Sequence, residues 1–390
     1  DGRTNMHPSR ERPFTDVVYG GTEADPGALG RHMNSRSNPP PSPYRICFGE
    51  IHGHTALSDG WGSPDAYFTA ARDLARLDFC ALTDHDHGGV GRPELWGEKW
   101  ERIREAVARY HDPGTFVTLL GYERDSFPYY PNMNLYYRDG CAEMVRGEAD
   151  GDITADELRA LKKRDDVLFI PHQISQVEVG VNWKAVPPDV MPRVAEMYSK
   201  WGASEFFGNP RPIRSTARGN FWQDALETGA RIGCIAGSDI HSPFPGLQVD
   251  SGHANLRHDQ PGIAAVLTEE LSRDAIFDAI RQRRCYACEG AHIRLDFRIN
   301  DAVMGSELQD TDEPERRLFF NVRAPDPIRT VTVIKNATDH FTYHVDGANR
   351  EFRSVVTDLE AERDTDYYYL RVTQTDGRRA WSSPIWVDRP

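Results

Sequence analysis

Histidine and carboxylate residues cluster at the ends of five short apolar segments in the first two-thirds of the chain. These segments end in Glu50-Ile51-His52-Gly53-His54, Thr83-Asp84-His85-Asp86-His87, Gly121-Tyr122-Glu123, Pro171-His172-Gln173 and Ser238-Asp239-Ile240-His241. Side chains two residues apart in a strand point to the same side, so His52 and His54 can bind one metal ion together. A single histidine at such a place is more often a hydrogen-bonded core residue, but five similar ends predict a metal site.

The elements that must position these residues alternate between strands and helices. Apolar runs predict seven strands, at Arg45–Ile51, Asp78–Thr83, Thr115–Tyr122, Met133–Arg138, Val167–Ile170, Val194–Tyr198 and Arg231–Ala236. Helical patterns lie between them, at Asp65–Leu77, Pro93–Tyr110, Thr154–Lys163 and Phe221–Thr228. This alternation is typical of an α/β fold with a parallel sheet, either open or closed into a barrel. The carboxyl ends of parallel strands meet at one face, so we expect the five clusters to converge there.

The two ends of the chain differ from this middle part. Residues 1–44 lack hydrophobic periodicity and finish in a proline-rich stretch, which predicts an extended arm. Residues 45–291 form the predicted α/β part, which finishes with a helix at Arg273–Arg284. Residues 292–390 read as seven short strands separated by Gly, Asp, Asn and Pro turns, which predicts a small all-β sandwich. Cys285 and Cys288 form a CxxC pair that we interpret as two small residues at a helix exit.

The order of the motifs in this chain resembles that of a known superfamily. His-x-His, Ser-Asp-Gly, Thr-Asp-His, Gly-x-Glu, Pro-His and Ser-Asp-x-His follow one another as in the polymerase and histidinol phosphatase (PHP) superfamily. Leu57–Gly60, Thr83–His87 and Arg283–Ala287 are also similar to a large branch known only as a domain of unknown function. The resemblance covers residues 45–305 and implies a distorted seven-stranded β/α barrel of TIM-like type. It also implies two or three divalent metal ions, commonly Mn, Zn or Fe.

The resemblance further implies which side chains bind the ions. The ligands of the first ion would be His52, His54, Glu123 and Asp239. Glu123 would bridge to a second ion that His172 also binds. The ligands of the third ion would be Asp59, His85 and His241. One ligand of the second ion, usually His or Cys in the superfamily, has no exact match here, and Glu196 is our candidate for it.

Other residues near these motifs are candidates for catalysis and substrate binding. His87 is either a proton donor to the leaving group or a partner that orients a ligand, and Asp239 is the second predicted catalytic residue. Asp84 and Asp86 are expected to orient ligands. Asn134 matches a substrate-contact position of the related branch, although the histidine that precedes it there is missing here. Arg211 and Arg214 lie in a loop-like stretch and are candidate anion-binding residues, the alternative being an ordinary solvated loop.

The charge of the chain limits its partners. With 60 acidic and 46 basic residues the formal net charge is −14, which argues against broad binding to nucleic acid or anionic membranes. No apolar run reaches the length of about 18 residues that a membrane helix needs. We therefore expect a small-molecule substrate, anionic in character and held through metal ions. Homo-oligomer formation stays open, as does the choice between a cytoplasmic location and export with a removed signal.

Hydrolysis is the reaction that the predicted site suits best. Imidazole and carboxylate ligands together favour Mn, Fe or Zn over Ca or Mg. Two such ions can hold a bridging hydroxide at neutral pH and clamp the oxygens of the group under attack. We predict a metal-dependent hydrolase of a phosphate monoester or diester, which is the usual chemistry of the superfamily. The alternatives are hydrolysis of a carboxylic ester or carbamate, and a non-catalytic metal-bound binding scaffold.

Overall fold

The computed structural model describes residues 42–86, 95, 97–124, 131–145, 153–249, 260–309 and 315–389. Its first part contains helices α1 to α5 and strands β1 to β10. The strands are β1 (Arg45–Glu50), β2 (Phe79–Leu82), β3 (Val117–Arg124), β4 (Met133–Tyr137), β5 (Val167–Pro171), β6 (Val194–Ser199), β7 (Gly202–Ala203), β8 (Gly233–Ala236), β9 (Gly262–Thr268) and β10 (Cys285–Glu289). The helices are α1 (Pro64–Thr69), which continues into a π-helical turn (Ala70–Leu74), α2 (Glu98–Tyr110), α3 (Ala155–Lys163), α4 (Trp222–Glu227) and α5 (Arg273–Arg281).

Local sequence signals explain where the helices begin. Ser63 caps α1 by accepting a hydrogen bond from the backbone N–H of Ala66 at 3.2 Å, and Pro64 occupies the first turn. Thr154 and Glu157 form a reciprocal capping box at the start of α3, with N···O distances of 2.7 and 3.2 Å. The predicted starts of these two helices are therefore confirmed.

The described strands form a mixed α/β fold with one large sheet and few helices. Strands β1, β2 and β3 pair in parallel, as predicted. Strand β4 pairs antiparallel with both β3 and β5, so the expectation of a wholly parallel sheet is wrong at this point. Strands β6 and β8 pair in parallel in a separate small sheet with β7. All seven predicted strands are present, but among the described residues they lie in two sheets rather than one closed barrel.

Two buried strands escaped the sequence prediction. Strand β9 pairs antiparallel with β1 on one side and with β10 on the other. Cys285 and Cys288 lie on β10 and not at a helix exit, because α5 already ends at Arg281. Both cysteines are buried free thiols, and residues three apart on a strand point to opposite faces, so they do not share a metal ion.

The C-terminal part is built from short strands, as predicted. They are β11 (Arg294–Ile299), β12 (Ala302–Val303), β13 (Glu307–Gln309), β14 (Arg316–Arg323), β15 (Ile328–Lys335), β16 (Thr338–His344), β17 (Glu351–Asp358), β18 (Thr365–Gln374), β19 (Arg379–Ser382) and β20 (Ile385–Asp388). Strands β12, β11, β14 and β17 form one sheet, and the others join the large sheet through the antiparallel pairing of β19 with β10. Phe297 and Phe320 from the first sheet share a buried core with Val331 and Leu370 from the second.

The predicted domain limits stay predictions. The pairing of β10 with β19 crosses the predicted boundary between residues 291 and 292. The predicted arm at residues 1–44 lies outside the described residues, except for its last three. In the part of the chain that the structure describes, no helix is both long and apolar enough to cross a membrane.

Candidate metal centre

Nine side chains from the strand ends and the loops after them meet in one region. They form three overlapping groups, in each of which the ligand atoms lie within 4.8 Å of one another. The groups are His52, His54, Glu123 and Asp239; His52, His172 and Glu196; and His54, Asp59, His85 and His241. We call them the central, the second and the third group. Each residue that the sequence predicts as a metal ligand belongs to at least one group.

The end of β1 lies between β2 and the loop after β8. The backbone N–H of His54 donates to the carbonyl of Ile240 at 2.7 Å, and that of Thr83 donates to the carbonyl of Gly53 at 3.0 Å. A Cβ atom at Gly53 would clash with the hydroxyl of Tyr67, so only glycine fits between the two histidines. These contacts place three of the five clusters side by side.

The central group is almost completely buried. Nε2 of His52 lies 2.9 Å from Oε2 of Glu123, and Nε2 of His54 lies 3.2 Å from Oδ1 of Asp239. Burial alone would raise the pKa of both carboxyl groups, but His172 and His85 hold the pKa of Glu123 far below its usual value. At Asp239, burial would also raise the pKa, but the pKa is lowered by the neighbouring imidazoles of His52, His54 and His241. Both carboxylates are therefore ionised, and buried anions need cations beside them.

The second group has polar atoms without protein partners. His172 is buried, and within the described residues neither of its ring nitrogens makes a hydrogen bond, although Nε2 lies 3.0 Å from Oε1 of Glu123. Oε1 of Glu196 also lacks a hydrogen-bond partner among those residues, while its Oε2 lies 2.9 Å from Nδ1 of His52. Leaving such atoms unsatisfied costs about 1–3 kcal/mol each. A metal ion would satisfy these lone pairs, so the donor set fits the predicted ions.

His52 takes part in two groups because its two ring nitrogens face different carboxylates. A neutral imidazole donates from one nitrogen and accepts at the other. If Nε2 binds an ion, Nδ1–H donates to Oε2 of Glu196 and fixes the orientation of the ring. Glu196 then keeps Oε1 for a second ion, so it would serve both as a ligand and as the partner that orients His52.

The third group surrounds Asp59 with imidazole rings. Oδ1 of Asp59 lies 3.4 Å from Nε2 of His85, and Oδ2 of Asp59 lies 3.2 Å from Nε2 of His241. The ring of His54 stacks on both, with centroid distances of 4.5 Å to His85 and 4.3 Å to His241. Partial burial would raise the pKa of Asp59, but hydrogen bonds from His241 and His85 lower it strongly. Asp59 is thus a carboxylate between three nitrogen donors, a set that suits a borderline divalent ion.

Side chains outside the three groups hold the ligands in place. Asp84 accepts hydrogen bonds from Thr55 N–H at 2.8 Å and Ser58 Oγ at 2.6 Å, which fixes the loop that carries Asp59. This is the orienting role that the sequence predicts for Asp84. Nε2 of Gln173 donates to Oδ2 of Asp239 at 2.7 Å. Gln173 has a φ of 46° and Asp239 a φ of 55°, a strained backbone that is typical of functional sites.

Glu50 is a buried carboxyl that the sequence prediction missed. It accepts hydrogen bonds from the backbone N–H groups of His52 at 3.0 Å and Ser238 at 2.8 Å, and from the Ser238 hydroxyl. Burial raises its pKa to about 7, against the opposing effect of the Ser238 hydrogen bond. Glu50 ties the end of β1 to the loop that carries Asp239. Its position just before His52, in Glu50-Ile51-His52, was the only signal for it.

The predicted catalytic and substrate-binding residues have different positions. His87 lies outside the described residues. Asn134 on β4 is buried and directly opposite Glu123, so the two side chains share one face of the sheet. Arg211 contacts the buried Glu289, with Nη1 at 2.5 Å from Oε1, and no described contact joins it to the three groups. Arg214 is exposed. The substrate-binding roles of Asn134, Arg211 and Arg214 stay predictions.

Comparison with known proteins gives one family match and several relatives. A family model described as a protein of unknown function (DUF3604) matches residues 231–318, which include Asp239, His241 and Arg283–Ala287. This agrees with the resemblance to a branch known only as a domain of unknown function. An uncharacterized protein of Chlamydia pneumoniae is 27% identical over 364 residues, which are 88% of this chain and 57% of the relative. An uncharacterized protein of Chlamydia trachomatis is 28% identical over 376 residues, which are 88% of this chain and 57% of that relative.

The chain thus spans a little over half the length of these relatives. Among solved structures, a two-domain protein from Bacteroides vulgatus is similar with a TM-score of 0.44 and 14% identity. It is described as containing a predicted PHP-like metal-dependent phosphoesterase, and the match covers 89% of this chain and 96% of that chain.

Proposed function

We propose that this chain is a metal-dependent hydrolase that cleaves a phosphate monoester or diester. One observation carries the proposal: three overlapping sets of imidazole and carboxylate donors meet at neighbouring strand ends. A structural role alone does not require so many buried ionisable groups, because burying charges is costly without strong partners. The motif order in the sequence favours phosphate esters among the bonds that such a site hydrolyses.

The nine side chains would hold two or three ions of Mn, Zn or Fe. The first ion would bind His52, His54, Glu123 and Asp239; the second Glu123, His172 and Glu196; the third Asp59, His85 and His241. Bound divalent ions supply positive charge that activates water and stabilises charge developing on a phosphoryl group. Gln173 and Asp84 would keep the carboxylates of Asp239 and the Asp59 loop in position for this task.

Exposure indicates the side from which a substrate approaches. The side chain of Asp59 is 18% exposed, whereas that of His52 is fully buried. His85 and His241 are also more exposed than the members of the central group. The third group therefore forms the mouth of the site, and the second group its closed end. We infer that the scissile group enters past Asp59.

We also propose that the two sheets of the α/β part belong to one distorted barrel, with the C-terminal strands as a sandwich beside it. The bridge between Gly53 and Ile240 supports the barrel, because it links the end of β1 to the loop after β8. The hydrogen bond from the N–H of Gly262 to Oγ of Ser238, at 3.0 Å, similarly links that loop to β9.

A carboxylic ester or carbamate is the second candidate substrate. In the described part of the chain, the side chain of Arg211 contacts Glu289 and no member of the three groups. A carboxylic ester needs less positive charge, so substrate tests must include both bond types.

The first test combines metal analysis with model esters and the variant Asp239→Asn. We expect the protein, produced with Mn, Fe and Zn supplied, to hold two or three ions and to hydrolyse p-nitrophenyl phosphate or bis-p-nitrophenyl phosphate. Loss of the Asp239 carboxylate should reduce this rate at least about 100-fold. Asp156→Asn is the matched control, since that side chain is 93% exposed on α3. Elemental analysis and ester hydrolysis are the measurements.

Each outcome of that test has a meaning. Hydrolysis of p-nitrophenyl acetate alone, lost in Asp239→Asn, would replace the phosphate ester by the carboxylic ester. A protein without transition metal and without activity on any of the three esters would rule out the hydrolase and favour a binding scaffold.

Trp61 is expected to contact the substrate at the mouth of the site. It lies two residues after Asp59, its backbone N–H donates to the carbonyl of His241 at 3.2 Å, and its side chain is 58% exposed. We expect Trp61→Ala to raise KM for an aromatic ester about 10-fold with little change in kcat, because an apolar wall is lost. Leu74→Ala, at an exposed apolar residue in the π-helical turn, should leave KM unchanged. An unchanged KM in Trp61→Ala would contradict this role.

A further inference from the structure

A groove of about 540 Å³ lies at the amino-terminal end of β1, where the chain enters the sheet. The candidate metal centre lies at the opposite end of this strand. With a rise of about 3.3 Å per residue, Arg45 and His52 are separated by roughly 20 Å. The groove is therefore a separate feature of the molecule, and a ligand bound in it would be independent of the proposed hydrolase activity.

The lining of the groove is strongly basic although the chain as a whole is acidic. Five arginines line it against a single acidic residue, and they are Arg45, Arg294, Arg298, Arg323 and Arg353, with Asp296 as the acid. The formal net charge of the chain is −14, so the excess of positive charge in the groove is opposite in sign to the charge of the whole chain. A local excess of one sign in a concave surface attracts ligands of the other sign.

Strand register places most of these arginines on one face. Arg294 lies directly opposite Arg323 in the pairing of β11 with β14, and Asn321 lies opposite Arg353 in the pairing of β14 with β17. The alternate residues, such as Leu295 and Val322, point into the core. Like charges directly opposite each other destabilise an antiparallel pair. Arg294 thus faces a guanidinium rather than a carboxylate on β14, and Glu351 lies opposite Arg323 on its other side.

Arg294 and Arg353 have no acidic partner in the described part of the chain. By contrast, Arg298 forms two hydrogen bonds with Asp296, at 2.9 and 2.6 Å, and Arg323 lies 2.8 Å from Glu351. The described contacts of Arg294 and Arg353 are with aromatic rings only. Their Cζ atoms lie 5.8 Å from the ring centre of Phe48 and 5.1 Å from that of Phe319.

The ring contacts hold the guanidinium groups in position for a ligand. Phe319 is buried at the base of the groove, with Cζ of Arg298 at 5.7 Å and Cζ of Arg353 at 5.1 Å from its ring centre. An arginine stacked on an aromatic ring keeps its N–H donors free at the edge of the guanidinium plane. Such donors match the oxygens of phosphate or sulfate in paired hydrogen bonds. Asn321, also in the lining, adds a neutral hydrogen-bonding group.

We propose that this groove is a binding site for a small polyanion that carries two or more phosphate or sulfate groups. Its volume is within the range of about 300–1,000 Å³ that is usual for small-molecule sites. Arg294 and Arg353 bind the anionic groups, with Arg45 at the rim. The rings of Phe48 and Phe319 position the two arginines.

The test compares the wild type with the double variant Arg294→Gln/Arg353→Gln by isothermal titration calorimetry. Sucrose octasulfate is the sulfate probe and inositol hexakisphosphate the phosphate probe. We expect one equivalent of at least one probe to bind the wild type, with affinity that falls as NaCl is raised from low to high concentration. The double variant should bind about 100-fold more weakly, because two charge-assisted contacts are lost. The tighter probe identifies the ester class of the natural ligand.

Arg329→Gln is the matched control, since Arg329 is an exposed arginine on β15 that does not line the groove. It should bind both probes as the wild type does. Any binding of inositol hexakisphosphate to the metal centre persists in the double variant, so the difference between the proteins reports the groove alone. The proposal is overturned if neither probe binds the wild type, or if the double variant binds as tightly as the wild type.

Thermal unfolding separates ligand binding from a structural role of the arginines. Without a probe, the double variant should unfold close to the temperature of the wild type, because Arg294 and Arg353 are both exposed and substitutions of exposed side chains change stability little. With the probe, the wild type and Arg329→Gln should gain more stability than the double variant does. If the probe stabilises the double variant as much as the wild type, the proposal is overturned.

Discussion

Glu123→Gln is expected to remove bound metal from the central and second groups and to reduce hydrolysis at least about 1,000-fold. The carboxylate of Glu123 meets imidazoles on both sides. Its Oε2 lies 2.9 Å from Nε2 of His52 and 3.3 Å from Nε2 of His54, and its Oε1 lies 3.0 Å from Nε2 of His172. Glutamine keeps the shape but replaces one ligand oxygen by an N–H₂ donor and removes the negative charge. Elemental analysis and ester hydrolysis measure the two effects.

A second measurement on the same variant does not depend on activity. Ions that bind only the folded chain raise its stability as their concentration increases. We expect added Mn or Zn to raise the Tm of metal-depleted wild type clearly, and to have a much smaller effect on Glu123→Gln. Glu178→Gln, at an exposed residue after β5, should behave as the wild type does. Full metal content in Glu123→Gln would show that Glu123 is not the ligand shared between ions.

The candidate site could be predicted from sequence because its residues are next to strand ends. His52 and His54 have the two-residue spacing of a strand, and Ser238-Asp239-Ile240-His241 comes directly after an apolar run. Strand ends that converge on one face then bring the clusters together without knowledge of the loops. All nine ligands that the family resemblance implied lie in the three groups. Glu196 was the hardest to place, because it lies inside β6 rather than after it.

The remaining parts depend on contacts between residues that are distant in sequence. Strand β9 is a short apolar run that local pattern does not distinguish from a buried helix segment. Strand β4 has the same kind of apolar pattern as the parallel strands β1, β2 and β3, and only its antiparallel pairing with β3 shows the opposite direction. Gln173 and Glu50 act through hydrogen bonds to residues more than 60 positions away. Hydrogen-bond partners so distant in sequence cannot be predicted from local sequence patterns.

Glu205 illustrates the same limit and leads to the second large effect. It was not among the predicted site residues, whereas the structure shows a fully buried carboxyl group. It accepts hydrogen bonds from Oη of Tyr369 at 2.8 Å, Nε of Arg371 at 2.8 Å and Nε1 of Trp381 at 2.7 Å. All three donors belong to β18 and β19. Glu205 therefore joins the α/β part to the C-terminal strands.

We expect Glu205→Ala to lower the free energy of unfolding by about 3 kcal/mol, because the guanidinium of Arg371, whose side chain is only 15% exposed, then keeps just the half-exposed Asp339 as a carboxylate partner, at 3.2 Å. Glu227→Ala is the matched control. Glu227 also joins the two parts, through Arg363 at 2.9 Å and Tyr367 at 2.7 Å, but it is partly exposed. Exposed ion pairs contribute at most about 1 kcal/mol. Urea unfolding of the three proteins measures the difference, and equal losses in both variants would contradict the role of Glu205.

The double variant Glu205→Ala/Arg371→Leu tests the cause of that loss. An uncompensated buried charge is costly, whereas an apolar replacement of a whole buried ion pair is often close to neutral. Removing the guanidinium as well should therefore restore part of the stability that Glu205→Ala loses, even though one more hydrogen-bonding side chain is gone. If the double variant is less stable than Glu205→Ala, the lost stability comes from the hydrogen bonds of Tyr369 and Trp381 and not from the charge of Arg371.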